Sequence, residues 1–578
     1  MPSRFAFLVL GALSLSLGMS ACAQTTTPSG PRAAPLPQKA MPAKRPPAPP
    51  RDLTELTLYE LLLAEIALQR GEAGLAAQTY LQLARRTLDA RVARRAVEVA
   101  NNAKMGDVSI EAAKVWQQLE PTSPQALQIT AALLVSAKRV DEAQAYLEKL
   151  LSADGVNAES GFLQINRLLA GNPDKAANLR VVRNLAAGHA KLPAAHFAIS
   201  QAAFAAGEEP LALIAIREAL ALRPEWEQAA LWEAHVLQKR SPAEAVKALG
   251  EFIGKNPAAR DARLGYARAL VLDKRYLEAR QQFETLLAMN PGNTEVIYAV
   301  GVLAYQLKDF QVAEENMKRL LGLPYRDHDA VRYLLGQIAE EQKQWPQAVE
   351  WYKQINDGDH ALPARMRTAG AIAKQGRVDE ARAYLKRIEP SGPAEQVQLL
   401  VAEAQLLREA NRHGDAYQML GQALQKTPDQ PELLYDYALT AEKLERHDVA
   451  EENLRKLIQV KPDHAHAYNA LGYSLADRNT RLPEARKLIE KALELAPEDY
   501  FIVDSLGWVL YRQGDLAAAA RELRRAYAGR PDAEIGAHLG EVLWVMGERG
   551  EAERIWKESL ESSPDNETLQ KTIKRLKR

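Results

Sequence analysis

Few residues in this chain are placed to do covalent chemistry. Cys22 is the only cysteine, so neither an intrachain disulfide framework nor a cysteine zinc site can form. Ten histidines are scattered along the chain. The one close pair, His464 and His466, stands at the start of a helical stretch. Two positions apart, the rings cannot share a helix face, and no third ligand is near in sequence. That pair reads as a surface or capping feature. No Gly-rich phosphate loop, G-x-S-x-G elbow or H-E-x-x-H motif occurs. The expectation is therefore a non-enzymatic protein with no catalytic residues, no metal, no cofactor and no small-molecule substrate.

Cys22 follows an apolar stretch that is either a lipoprotein signal, or a plain secretory signal or uncleaved anchor with an incidental cysteine. Phe5–Met19 is an uncharged run preceded by Arg4 and followed by Ser20, Ala21 and Cys22. A basic start, a short apolar run and small residues describe an export signal, and the run is short for a spanning helix. Met19-Ser20-Ala21-Cys22 resembles the bacterial lipobox, which implies cleavage after residue 21 and lipidation of Cys22. Ala23 offers no aspartate to retain the protein at the inner membrane, so by resemblance to known sorting the expected place is the periplasmic face of the outer membrane. Residues 22–52 form a proline-rich tether, with nine prolines between Pro28 and Pro50. Such a chain is extended, at roughly 3.1 Å per residue. Residues 1–51 hold six basic residues and no acid. The tether's charges either rest on anionic lipid or polymer, or keep it soluble.

What positions everything else is a repeat. The chain carries 74 basic and 74 acidic residues, a balance that argues against a nucleic-acid partner. With only 6% aromatics and an abundance of alanine and leucine, the palette is helical. At 578 residues the chain is too long for one core. From Ala212 to Ala552, alanine recurs in ten intervals across 340 residues. A small residue generally lies twelve positions earlier, as at Gly301, Gly336, Gly507 and Gly540, while Glu233 breaks the rule. Proline falls twelve positions after the marker, as at Pro224, Pro257, Pro393 and Pro531. Two antiparallel helices fit in 34 residues, small side chains let them cross closely, and proline ends the second.

This pattern resembles the tetratricopeptide repeat (TPR). Leu506-Gly507, Leu510, Ala519, Leu523, Ala526 and Pro531 fill its signature positions in one unit. The resemblance implies an all-α, TPR-type α-solenoid of about fifteen units over 53–564. Units between 155 and 210 are degenerate, interrupted by Asn172-Pro173-Asp174, and a basic capping helix occupies 565–578. It also implies that the first helix of each pair lines a concave face. In the last units that face would present Tyr473, then Phe501, Asp504, Trp508 and Tyr511, then Glu541 and Trp544. These are either anchors for a partner chain or packing between repeats. In the first helix Leu58, Leu61 and Leu68 would form a groove for an amphipathic partner helix, or be covered by the chain itself.

The stretches Asn469–Arg478, Asp504–Arg512 and His538–Trp544 are similar to those of long proteobacterial TPR lipoproteins. That resemblance implies protein partners: a periplasmic carboxyl-terminal processing protease and its cell-wall hydrolase substrates. The alternative is a structural part of an outer-membrane apparatus that exports polysaccharide, pilus or outer-membrane proteins.

Overall fold

The computed structural model describes residues 54–153 and 157–577. The signal at 1–21, Cys22 and the tether to residue 52 lie outside the described residues. Within them the chain forms 31 α-helices and one 3-10 turn, and no strand. In chain order the helices read as fifteen pairs followed by a single closing helix, Glu567–Leu576. They fall into two compact units, divided between Asn316 and Met317.

The pairing follows from local chemistry, and the pair Tyr500–Arg512 and Leu516–Gly529 shows how. The Asp499 carboxylate accepts from the Phe501 N–H at 3.0 Å and opens the first helix. Gly514, at φ 90°, turns the chain in the left-handed region, where a side chain is costly. Asp515 then accepts from the Ala518 N–H at 3.0 Å and opens the second helix. Pro531 follows that helix, and Asp532 caps the next one through the Glu534 N–H at 2.9 Å. Pro393 departs from the expected role, because it opens the helix Pro393–Glu409 rather than closing its predecessor.

The crossing rule has a direct cause. All eleven alanine markers from Ala212 to Ala552 are buried. A methyl group on Gly472 would sit 2.6 Å from Ile489 Cγ1 and 2.9 Å from the Ala485 carbonyl oxygen. The first helix of that pair therefore lies directly on the marker alanine of the second. The exception, Glu233, is accommodated by an ion pair with Arg217 at 2.8 Å, beside a groove of about 650 Å³ lined also by Leu220, Leu237 and Phe252.

Two departures from regular pairing occur, one within the array and one at its C-terminal end. Ala158–Leu169 packs mainly on Pro193–Ala205 rather than on its sequence neighbour Lys175–Ala186. Its last turn is closed by buried amides: Asn178 donates to the Leu169 carbonyl at 3.0 Å, and Asn172 donates to Asn178 Oδ1 at 2.9 Å. At the C-terminal end, Glu567–Leu576 packs on Ala533–Met546 through buried Leu569 and turns a charged face outward.

Candidate protein-docking surfaces

In the C-terminal unit, the helices Ala465–Asp477, Tyr500–Arg512 and Ala533–Met546 bring the expected aromatic and acidic residues into one neighbourhood. Phe501 is the open one, with the Arg530 guanidinium 4.5 Å over its ring. Tyr473, Tyr511 and Trp544 are half-buried. Asp504, Trp508 and Glu541 do not stand open: they are 6%, 6% and 2% exposed. This corrects their reading as accessible anchors: His538, a residue without an expected role, covers Asp504 and Trp508, and Tyr511 and Arg575 hold Glu541.

The His538 ring stacks on Trp508 at 4.3 Å between centroids. Its Nδ1 donates to the Asp504 carboxylate at 2.9 Å, and its Nε2 faces the Tyr473 hydroxyl at 3.4 Å. Burial disfavours the charged imidazolium. The Asp504 carboxylate outweighs it, with Glu534 and Glu541 behind, and holds His538 above the ordinary histidine range. Burial also pushes the Tyr473 phenol well above its ordinary range. Beside this cluster Tyr511 donates to Glu541 at 3.1 Å, and Arg575 of the closing helix donates to the other Glu541 oxygen. His464 acts as a cap, its Nδ1 accepting from the Ala467 N–H at 3.1 Å. The wall is thus closed by its own side chains. His538, Asp504, Tyr511 and Glu541 are paired with one another or with Arg575, whereas the buried Trp508 indole N–H has no hydrogen-bond partner.

One signal in the sequence pointed to that closure. Asp504 and His538 are 34 residues apart, as are Glu541 and Arg575. One repeat period places residues on facing turns of adjacent first helices, so opposite charges one period apart are neighbours.

The N-terminal end differs. In the helix Glu55–Gln69, Leu61 and Leu68 are half-buried against the first core, which corrects their reading as open groove residues; only Leu58 of that set is exposed. The open apolar surface lies on a different stripe, where Leu56, Tyr59, Leu62 and Ile66 are 55%, 63%, 53% and 45% exposed. Their 3-3-4 spacing marks one helix face. That face points away from the packed side of the first pair, where Ala64 and Ala67 are buried. On the second helix, Ala73–Thr87, the outward positions are polar apart from Leu75. The apolar strip is therefore one helix wide.

Among the described residues no group of three or more His, Cys, Asp or Glu is placed to hold a metal ion. No described helix is long and apolar enough to cross a membrane.

A model of the tetratricopeptide repeat matches residues 235–294, 298–361, 401–452, 438–500 and 505–567. The TPR repeat-containing protein PA4667 of Pseudomonas aeruginosa is 33% identical over 571 residues, 98% of this chain and 96% of that protein. The chain belongs to the tetratricopeptide repeat family. Its fold is all-α, of the TPR-type α-solenoid class, and a TPR array is a scaffold for protein–protein interaction. Solved TPR structures align with parts of it. A thermophilic TPR protein of Thermus thermophilus is 25% identical, covering 31% of this chain and 98% of its own, with a TM-score of 0.29. A TPR protein of Parabacteroides merdae is 16% identical, covering 49% of this chain and 99% of its own, with a TM-score of 0.32.

Proposed function

We propose that this protein is a non-enzymatic TPR adaptor, held by acyl chains on Cys22 at the periplasmic face of the outer membrane. Its partner is a carboxyl-terminal processing protease, to which it brings cell-wall hydrolase substrates. The observation that carries the docking part is the uncovered stripe Leu56–Tyr59–Leu62–Ile66 on the first helix. An exposed apolar strip of this kind marks an interaction site, and a strip one helix wide suits an amphipathic helix of the protease. The anchoring part is supported by the lipobox-like Met19–Cys22 and the protease by the likeness to long proteobacterial TPR lipoproteins.

The mechanism needs no chemistry from the adaptor. Protease and substrate held on one tethered scaffold meet at raised effective concentration, and hydrolysis belongs to the protease. The test is capture of the tagged full chain from detergent-solubilised membranes, with the bound proteins identified by mass spectrometry. A soluble serine-type processing protease is expected, and it should be lost with Leu62→Glu. In cells, deletion of the gene should let cell-wall hydrolases accumulate, and Cys22→Ser should slow their turnover. Capture of an outer-membrane barrel or a synthase in place of a protease would refute the protease reading.

A further inference from the structure

The first helix carries a charge pattern that partner docking does not require. On the face of the apolar stripe stand, in order, Glu55, Leu56, Tyr59, Leu62, Ile66 and Arg70, all exposed. At 100° per residue these six fall within an arc of about 120°. The face begins with an acid and ends with a base. Neither Glu55 nor Arg70 has an ion-pair partner among the described residues, whereas Glu60 is held by Arg86 and Glu65 by Arg95. Glu55 at the start and Arg70 at the end each suit the helix dipole. The dipole does not demand that both lie on the apolar face.

A two-fold axis does explain it. Place a second copy of the helix antiparallel, with the axis between positions 62 and 63. Glu55 then meets Arg70 of the other copy, Tyr59 meets Ile66, and Leu62 lies beside the axis. The face is complementary to itself, which is the condition for an isologous contact. A strip one helix wide matches such a partner, and the polar second helix limits the contact to that strip.

We propose that two copies of this chain pair antiparallel through the Glu55–Arg70 face of the first helix, and that pairing masks the surface a partner protein uses. The masking rests on the docking reading above; the pairing does not. The apolar residues would bury on the order of 500 Å² per copy, short of the ~800 Å² per partner of a standing interface. The pair is therefore weak and reversible, so a tighter-binding partner can displace it. Copies tethered to one membrane would raise its occupancy.

Sedimentation equilibrium of the full chain in detergent, over about 1–200 µM, tests the pairing. The wild type should show a reversible monomer–dimer equilibrium. Glu55→Arg and Arg70→Glu each place like charges opposite one another and should weaken it about ten-fold. The double swap should restore it. Both sites are exposed, so loss of fold is not an expected confounder, and circular dichroism checks this. In a Cys22→Ser background, Leu62→Cys should oxidise to a covalent dimer while Leu75→Cys should not. A wild type that stays monomeric throughout, or a double swap that behaves like the singles, would overturn the proposal. Protease capture distinguishes the two readings. Pairing without capture removes the docking reading alone. Capture by a chain that never pairs removes the pairing alone. Capture that rises when a single charge reversal weakens pairing supports the masking, and capture that does not rise removes it.

Discussion

His538 and Asp504 tie two consecutive repeats together, and Tyr473 adds a third. His538 titrates above its ordinary value in the folded chain. Its contribution to stability is then complete below the unfolded histidine pKa and fades as pH rises through the folded one. The protection of the helix Ala533–Met546 against hydrogen exchange, measured relative to the intrinsic rate at each pH, should accordingly be greater at pH 6 than at pH 9, and His538→Gln should remove most of that difference. Asp504→Asn should destabilise the same region by about 1–3 kcal/mol, since it weakens a buried charge-assisted hydrogen bond; an unchanged exchange profile would mean the dyad is idle. At this scale the sequence was half-readable. The aromatic and acidic residues were visible, but whether Trp508 stands open depended on a histidine one repeat away. Leu61 and Leu68 went astray for a related reason. The fixed repeat positions point to Leu61 and Leu68, whereas the exposed face of the first helix follows the 3-3-4 spacing of Leu56, Tyr59, Leu62 and Ile66.

Within a pair, the turn and the crossing set the element. Gly514 and Gly547 make the left-handed turn without strain, but Lys274 and Lys308 adopt it at φ 60°. A side chain costs about 1–2 kcal/mol there, against roughly 0.5–1 kcal/mol of extra unfolded-state entropy for glycine. Lys308→Gly should therefore stabilise its repeat by about 0.5–1 kcal/mol and raise the midpoint of thermal unfolding. Gly472→Ala should act in the opposite direction. The added methyl meets Ile489 and the Ala485 carbonyl, and overpacking of about 1–3 kcal/mol exceeds the ~1 kcal/mol gain in helix propensity. If that variant melts at or above the wild type, the close crossing is not what holds the pair. The helices and their order were legible because caps, turn residues and small crossings are local signals repeated every 34 residues. The region around Asn172 was not, because there Ala158–Leu169 packs with a helix beyond its sequence neighbour.

A repeat array must do something with its two ends, because each terminal pair lacks one neighbour. The C-terminal end is covered by Glu567–Leu576, which buries Leu569 and sends Arg575 to Glu541. Removing residues 566–578 should lower the melting temperature of the C-terminal unit by several degrees, roughly 2–4 °C per kcal/mol lost, and should increase self-association. No change in either would mean that helix caps nothing. The N-terminal end is left apolar, and it is the surface on which partner docking and self-pairing are proposed. By itself the sequence determined the 34-residue period, the helical class, the absence of a catalytic motif and the singular position of Cys22, because each of these is written in residue type and spacing. Which side chains are open was decided only by the tertiary structure. Exposure belongs to whatever packs against a residue, and in a stack of hairpins that neighbour lies one period or more away along the chain.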